Sequence, residues 1–137
     1  MKSLITRAAL WILAAEAAVV AVPALLAPRY FYDSFPFGAS WVEMLPPFNR
    51  HLVSDVGGFY LAFALLFAWA AVTLRRTLIV PLCSAWGIAA LVHLVYHATH
   101  LDGWDTADAV AQIVSLAIVL ALPVVAAIAA TREDGTT

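Results

Sequence analysis

Four stretches of this chain stay apolar for longer than a soluble fold tolerates, at about residues 4–28, 52–74, 77–99 and 107–130. A hydrocarbon core of about 30 Å takes roughly 20 helical residues to cross. Inside it every backbone N–H and C=O must be satisfied within the segment, which makes each run a helix. The pattern predicts an all-α, polytopic membrane protein, a four-transmembrane-helix bundle. The runs use most of the 137 residues, so a single membrane domain over 1–137 is expected. Composition agrees: 64% of residues are hydrophobic and 12% charged, far from the usual soluble balance. A formal net charge of −2 offers no basic surface for nucleic acid. The partner expected is the lipid bilayer, with a second copy or another membrane subunit beside it.

Lys2 and Arg7 ahead of the first run have the look of a signal-peptide n-region. The run is longer than an h-region, however, and Glu16 interrupts it, so it reads as a retained helix. Basic residues then orient the chain. Lys2, Arg7, Arg75, Arg76 and Arg132 fall on one side and only Arg29 and Arg50 on the other. The positive-inside rule places both termini in the cytoplasm of a plasma-membrane protein.

The long connection RYFYDSFPFGASWVEMLPPFNR carries Tyr30, Phe31, Tyr32, Phe35, Phe37, Trp41 and Phe48. Such a loop belongs at the headgroup level as an aromatic interfacial belt, with a short helix expected around Ala39 to Leu45. Pro46 and Pro47 end that segment, and Asn49 is placed to cap the second span. Asp105 and Asp108 start the fourth span in the same manner. Thr77 is a candidate cap for the third, ahead of Pro81, while Pro23 and Pro123 are expected to bend their helices. Gly57 and Gly58 predict close backbone approach in the second span. Cys83 stands alone, so no intramolecular disulfide is possible.

The run VHLVYHATHLDG holds three of the four histidines. At about 100° per residue, His97 lies about 40° from His93 and His100 about 20° to its other side, so the three share one helix face. Spacing of i, i+4 and i+7 is what neighbouring imidazoles need to converge on one ion. His51 and Asp55 form an i, i+4 pair on the second span, Gln112 and Ser115 an i, i+3 pair on the fourth, and Tyr96 sits within the histidine run. Glu16 lies near the midplane of the first span, with His93 as the nearest expected partner. Ionisable groups at such depths are costly against lipid and should face the bundle interior and pair.

Three readings of this polar set stay open. One is a structural hydrogen-bond network that fixes helix register. A second is a divalent metal site, zinc or copper, from His93, His97, His100, His51 and Asp55; haem held by two imidazoles is a weaker form of it. The third is a polar pocket for a lipid or quinone headgroup, or a proton path, including Glu16, Gln112, Ser115 and Tyr96. The expected function is binding of a metal ion or small ligand near the outer leaflet. The alternatives are an assembly subunit of a membrane complex, or a lipid- or quinone-linked redox enzyme, and no residue is assigned a catalytic role.

A first span ending in VPALLAPRYFYDSFP, a second containing DVGGFYLAFALL and two further spans resemble the small four-helix DoxX-like membrane proteins. The resemblance is one of layout across most of the chain. It implies a four-span fold and, for some members, quinol- or thiosulfate-linked redox chemistry. HLVYHATH is not a motif of that family, so no residue role is carried over.

Overall fold

The computed structural model of the protein describes residues 2–44 and 47–131, Lys2 by its backbone alone. Arg132, Leu45 and Pro46 and the Lys2 side chain lie outside the described residues. Five helices follow in order: α1 (Lys2–Leu26), α2 (Pro28–Ser34), α3 (Arg50–Thr73), α4 (Arg76–Thr99) and α5 (Thr106–Thr131). There is no strand among the described residues. Four of the helices, all but α2, are long and apolar enough to cross a membrane.

Helix ends follow local chemistry. Pro28 has no N–H to donate and disfavours helical backbone at the residue before it, so α1 stops at Leu26 and not at 28. Ala27 breaks the path with φ −142° and ψ 61°, and Pro28 then opens α2 at the first helical position. The short helix of the connection is therefore Pro28–Ser34. The helix expected around Ala39 to Leu45 does not form over 39–44, where the chain turns instead. Residues with φ of 49° at Phe37, 90° at Gly38 and 56° at Ser40 cannot continue a right-handed helix.

The expected caps are present on two helices. Asn49 Oδ1 accepts the Leu52 N–H at 3.1 Å at the start of α3. Asp105 Oδ1 accepts the N–H groups of Ala107 at 2.6 Å and Asp108 at 3.2 Å at the start of α5. Thr77 does not cap α4, because the helix begins one residue earlier, at Arg76, behind Arg75.

The chain clusters into two compact units. The first, called here the loop unit, is Ala14–Leu66. It contains the second half of α1, α2, the connection and most of α3. Gly57 of α3 lies against α1: a Cβ there would sit 2.9 Å from Leu25 Cγ, 3.0 Å from Ala24 Cβ and 3.1 Å from the Leu25 nitrogen. Any larger residue would force Leu25 and the α1 backbone to give way by a few tenths of an ångström. Gly58, expected to share the role, faces open space. The connection is tied down by an Arg29 Nε to Asp33 Oδ2 bond of 2.8 Å and by a Ser40 hydroxyl donating to the Asp33 carbonyl at 2.7 Å. The Arg29 guanidinium sits 5.1 Å from the Phe48 ring centre and 5.8 Å from that of Tyr32. Asp33 beside it raises the Arg29 pKa still further, so the cation persists through alkaline pH.

The second unit, the hairpin unit, is Met1–Leu13 with Phe67–Thr137. Here α4 and α5 pack on each other as an antiparallel pair joined through residues 100–105. Leu10, Leu13, Phe67, Ile79 and Pro123 are sealed from the surroundings. Phe67 meets Trp86 edge to face at 5.4 Å. Cys83 is buried and free, acting as a small apolar side chain.

Candidate polar sites

The hairpin unit gathers its polar side chains where α4 ends and α5 begins. His97 and Gln112 are buried there, at 7% and 3% exposure. They are neighbours across the two helices, close enough for the amide to interact with the imidazole. Gln112 Oε1 is nevertheless buried with no hydrogen-bond partner. The His97 imidazole lies within hydrogen-bonding reach of the amide, and whether it donates to Oε1 depends on which ring nitrogen carries the proton. Ser115, expected beside it, is exposed, and its hydroxyl donates to the Gln112 backbone carbonyl at 2.8 Å.

The three imidazoles do not share one surroundings. His93 is exposed on α4 with its ring 4.6 Å from that of His97. Tyr96 stands edge-on to His97 at 5.7 Å and stacks on His100 at 4.2 Å. His100 turns back onto its own helix, with Nδ1 2.8 Å from the Tyr96 carbonyl. A carbonyl only accepts, so this nitrogen carries the proton and is not available to a metal. The i, i+7 projection assumed helix through position 100, whereas α4 ends at Thr99 and His100 adopts φ −131° and ψ 62°. His51 and Asp55 belong to the loop unit, where they pair at 3.3 Å and are both exposed. No group of three or more His, Cys, Asp or Glu side chains among the described residues is placed to hold a metal ion. The convergent zinc or copper set expected from His93, His97, His100, His51 and Asp55 is thus not assembled.

Glu16 and His93, expected as partners, fall in different compact units. Within the loop unit the Glu16 carboxylate has one oxygen, Oε2, buried without a hydrogen-bond partner. Tyr60 on α3 lies within range of its charge. Tyr60 is not among the polar residues expected at the site, although it is the one hydroxyl in the apolar run GGFYLAFALLFAWAAV. Its position relative to Glu16 follows from the antiparallel register that Gly57 and Leu25 define.

In comparisons with protein-family models, curated proteins and solved structures, no match to this chain is found. The arrangement of its own side chains therefore carries the functional reading.

Proposed function

We propose that this is a multi-pass plasma-membrane protein, both termini cytoplasmic, that binds a small hydrogen-bonding ligand between α4 and α5 near the outer leaflet. The ligand class is a lipid or quinone headgroup, or another molecule with an O–H or N–H donor. One observation carries the reading: the Gln112 side chain is almost fully buried beside His97 with Oε1 unpartnered. A buried acceptor left without a donor costs about 1–3 kcal/mol, and a bound donor removes that cost. Exposed His93 and the partly exposed Tyr96 flank buried His97 on α4 and add polar groups beside it. Orientation rests on Arg75 and Arg76, which lie at the opposite end of α4 from His97. Kinship with DoxX-like proteins rests on the four-span layout alone.

A second reading, an assembly subunit, is favoured by His93 itself. An imidazole exposed within a helix of membrane-spanning length calls for a polar partner, and a neighbouring membrane subunit can supply one.

Native mass spectrometry of protein extracted in mild detergent, with elemental analysis of the same sample, separates these outcomes. An organic adduct of one per chain is expected, lost in Gln112→Leu while helicity is kept. Wild type free of adduct, together with a Gln112→Leu variant that is stabilised, would show the amide to be a packing defect and sink the ligand reading. Stoichiometric zinc or copper that disappears in His97→Ala would replace it with a metal site.

A further inference from the structure

The unused acid of the molecule lies in the middle of α1. Glu16 comes fourteen residues after Lys2 and ten before Leu26, about 21 Å and about 15 Å along the axis from the two ends. A glutamate side chain is too short to reach water from either distance. Its Oε2 atom is buried without a hydrogen-bond partner, while the residue as a whole is half-buried, so the carboxyl is neither satisfied internally nor wholly sealed. A carboxylate in that position is strongly disfavoured, and a neutral acid is not.

Tyr60 of α3 is near enough to feel the Glu16 charge. Gly57 packs against Ala24 and Leu25; from that level Glu16 is about 12 Å deeper along α1 and Tyr60 about 4.5 Å deeper along α3. The remaining axial gap is about 8 Å by the same rise, which two long side chains narrow until Tyr60 senses the Glu16 charge. Other titratable residues of the loop unit are remote from this level. Arg29, Tyr30, Tyr32, Asp33 and Glu43 belong to α2 and the connection, and Arg50, His51 and Asp55 to the first turns of α3. Within its half of α1, Glu16 is the sole ionisable residue.

We propose that Glu16 is a reversible proton-binding site within the membrane span, with the Tyr60 phenol as the group that turns toward the carboxylate when the proton leaves. The ligand is the proton itself. The site is independent of the α4–α5 ligand reading, since its test does not involve Gln112 or His97.

The test is labelling of the purified full chain with dicyclohexylcarbodiimide, a lipophilic reagent for protonated carboxyls. The acid gives its proton to a carbodiimide nitrogen, its oxygen adds to the central carbon, and the O-acylisourea rearranges to a stable N-acylurea with no leaving group. Peptide mapping should find the adduct on the Glu16 segment, with labelling declining as pH rises. A water-soluble carbodiimide should spare Glu16 and label exposed carboxyls such as Asp55. Glu16→Gln should lose the adduct, and Tyr60→Phe should shift the decline to more alkaline pH, because the carboxylate loses a donor that favours it. The wild-type map suffices if Glu16→Gln does not fold. Absence of the adduct at every pH, labelling that does not vary with pH, or equal labelling by the water-soluble reagent would overturn the proposal.

Discussion

Within its membrane-length helices each unit buries one polar side-chain oxygen without a hydrogen-bond partner, Asp33 Oδ1 of the loop unit lying in the short α2, and these two oxygens are chemically unlike. In the hairpin unit it belongs to an amide, Gln112, beside an imidazole near the ends of two helices. In the loop unit it belongs to a carboxyl, Glu16, at mid-span with a phenol nearby. An amide is neutral at every pH and its oxygen is satisfied only by a donor, from His97 or from a ligand, whereas a carboxyl can remove its own charge by taking a proton. Burial also differs between helices, α1 being shared by the two units and α5 belonging to the hairpin unit. Within the most apolar window of each helix, 39% is covered in α1 but 17% in α5. In lipid that contrast costs little, since hydrocarbon is as apolar as valine or isoleucine, and it is the polar atoms that report where contacts are made.

The premise of that contrast, that exposed apolar helix faces lipid, is tested most sharply by topology. Ser34 belongs to the loop unit and Thr77 to the hairpin unit, and α3 runs between them. In intact cells a cysteine at Ser34 should react with a membrane-impermeant thiol reagent, and one at Thr77 should not. Cys83 is buried and should stay silent in both. The difference expected is all or none. Reversed labelling would put Gln112 and His97 on the cytoplasmic side, and equal labelling would remove α3 as a membrane span.

Next in size is the contact that holds the loop unit together. Gly57→Ala places a carbon against Leu25 and Ala24, including a backbone nitrogen 3.1 Å away that cannot rotate aside. Overpacking of this kind costs about 1–3 kcal/mol. Gly58→Ala meets nothing within 4 Å and should be neutral or gain up to about 1 kcal/mol from helix propensity. Denaturant titration of helicity in detergent compares the two. Equal effects would mean that the α1–α3 approach at Gly57 contributes nothing to stability.

The contrast between these glycines also shows what could be read in advance. The four long helices were legible to within two residues at each end because length and hydropathy specify them. Asn49 and Asp105 were legible as caps because capping is local. Which of two adjacent glycines touches a neighbour was not, since that depends on rotation about the helix axis. His100 misled for a related reason: a periodic projection has no signal for the helix ending one residue before it. The short helix at Pro28–Ser34 was missed although Pro28 announced it, because hydropathy ran smoothly across the break.

The smallest expected effects compare the two caps, one in each unit. Asn49 Oδ1 accepts one backbone N–H of α3, whereas Asp105 Oδ1 accepts two of α5 and carries a negative charge toward the helix dipole. Asn49→Ala should therefore cost about 1 kcal/mol, and Asp105→Ala somewhat more. Asp105→Asn separates charge from hydrogen bonding, because the amide oxygen keeps the acceptor and loses only the charge. The dipole term at an exposed helix start is about 0.3–1 kcal/mol, and Asp108, three residues on in the first turn of α5, repels Asp105 and offsets part of it. Asp105→Asn should thus lie at the low end of that range in dilute buffer and approach zero at high salt, where the Debye length shrinks to a few ångströms. A salt-independent loss as large as that of Asp105→Ala would mean that the carboxylate does more than cap α5, and would bring the start of that helix into the polar site formed by His97 and Gln112.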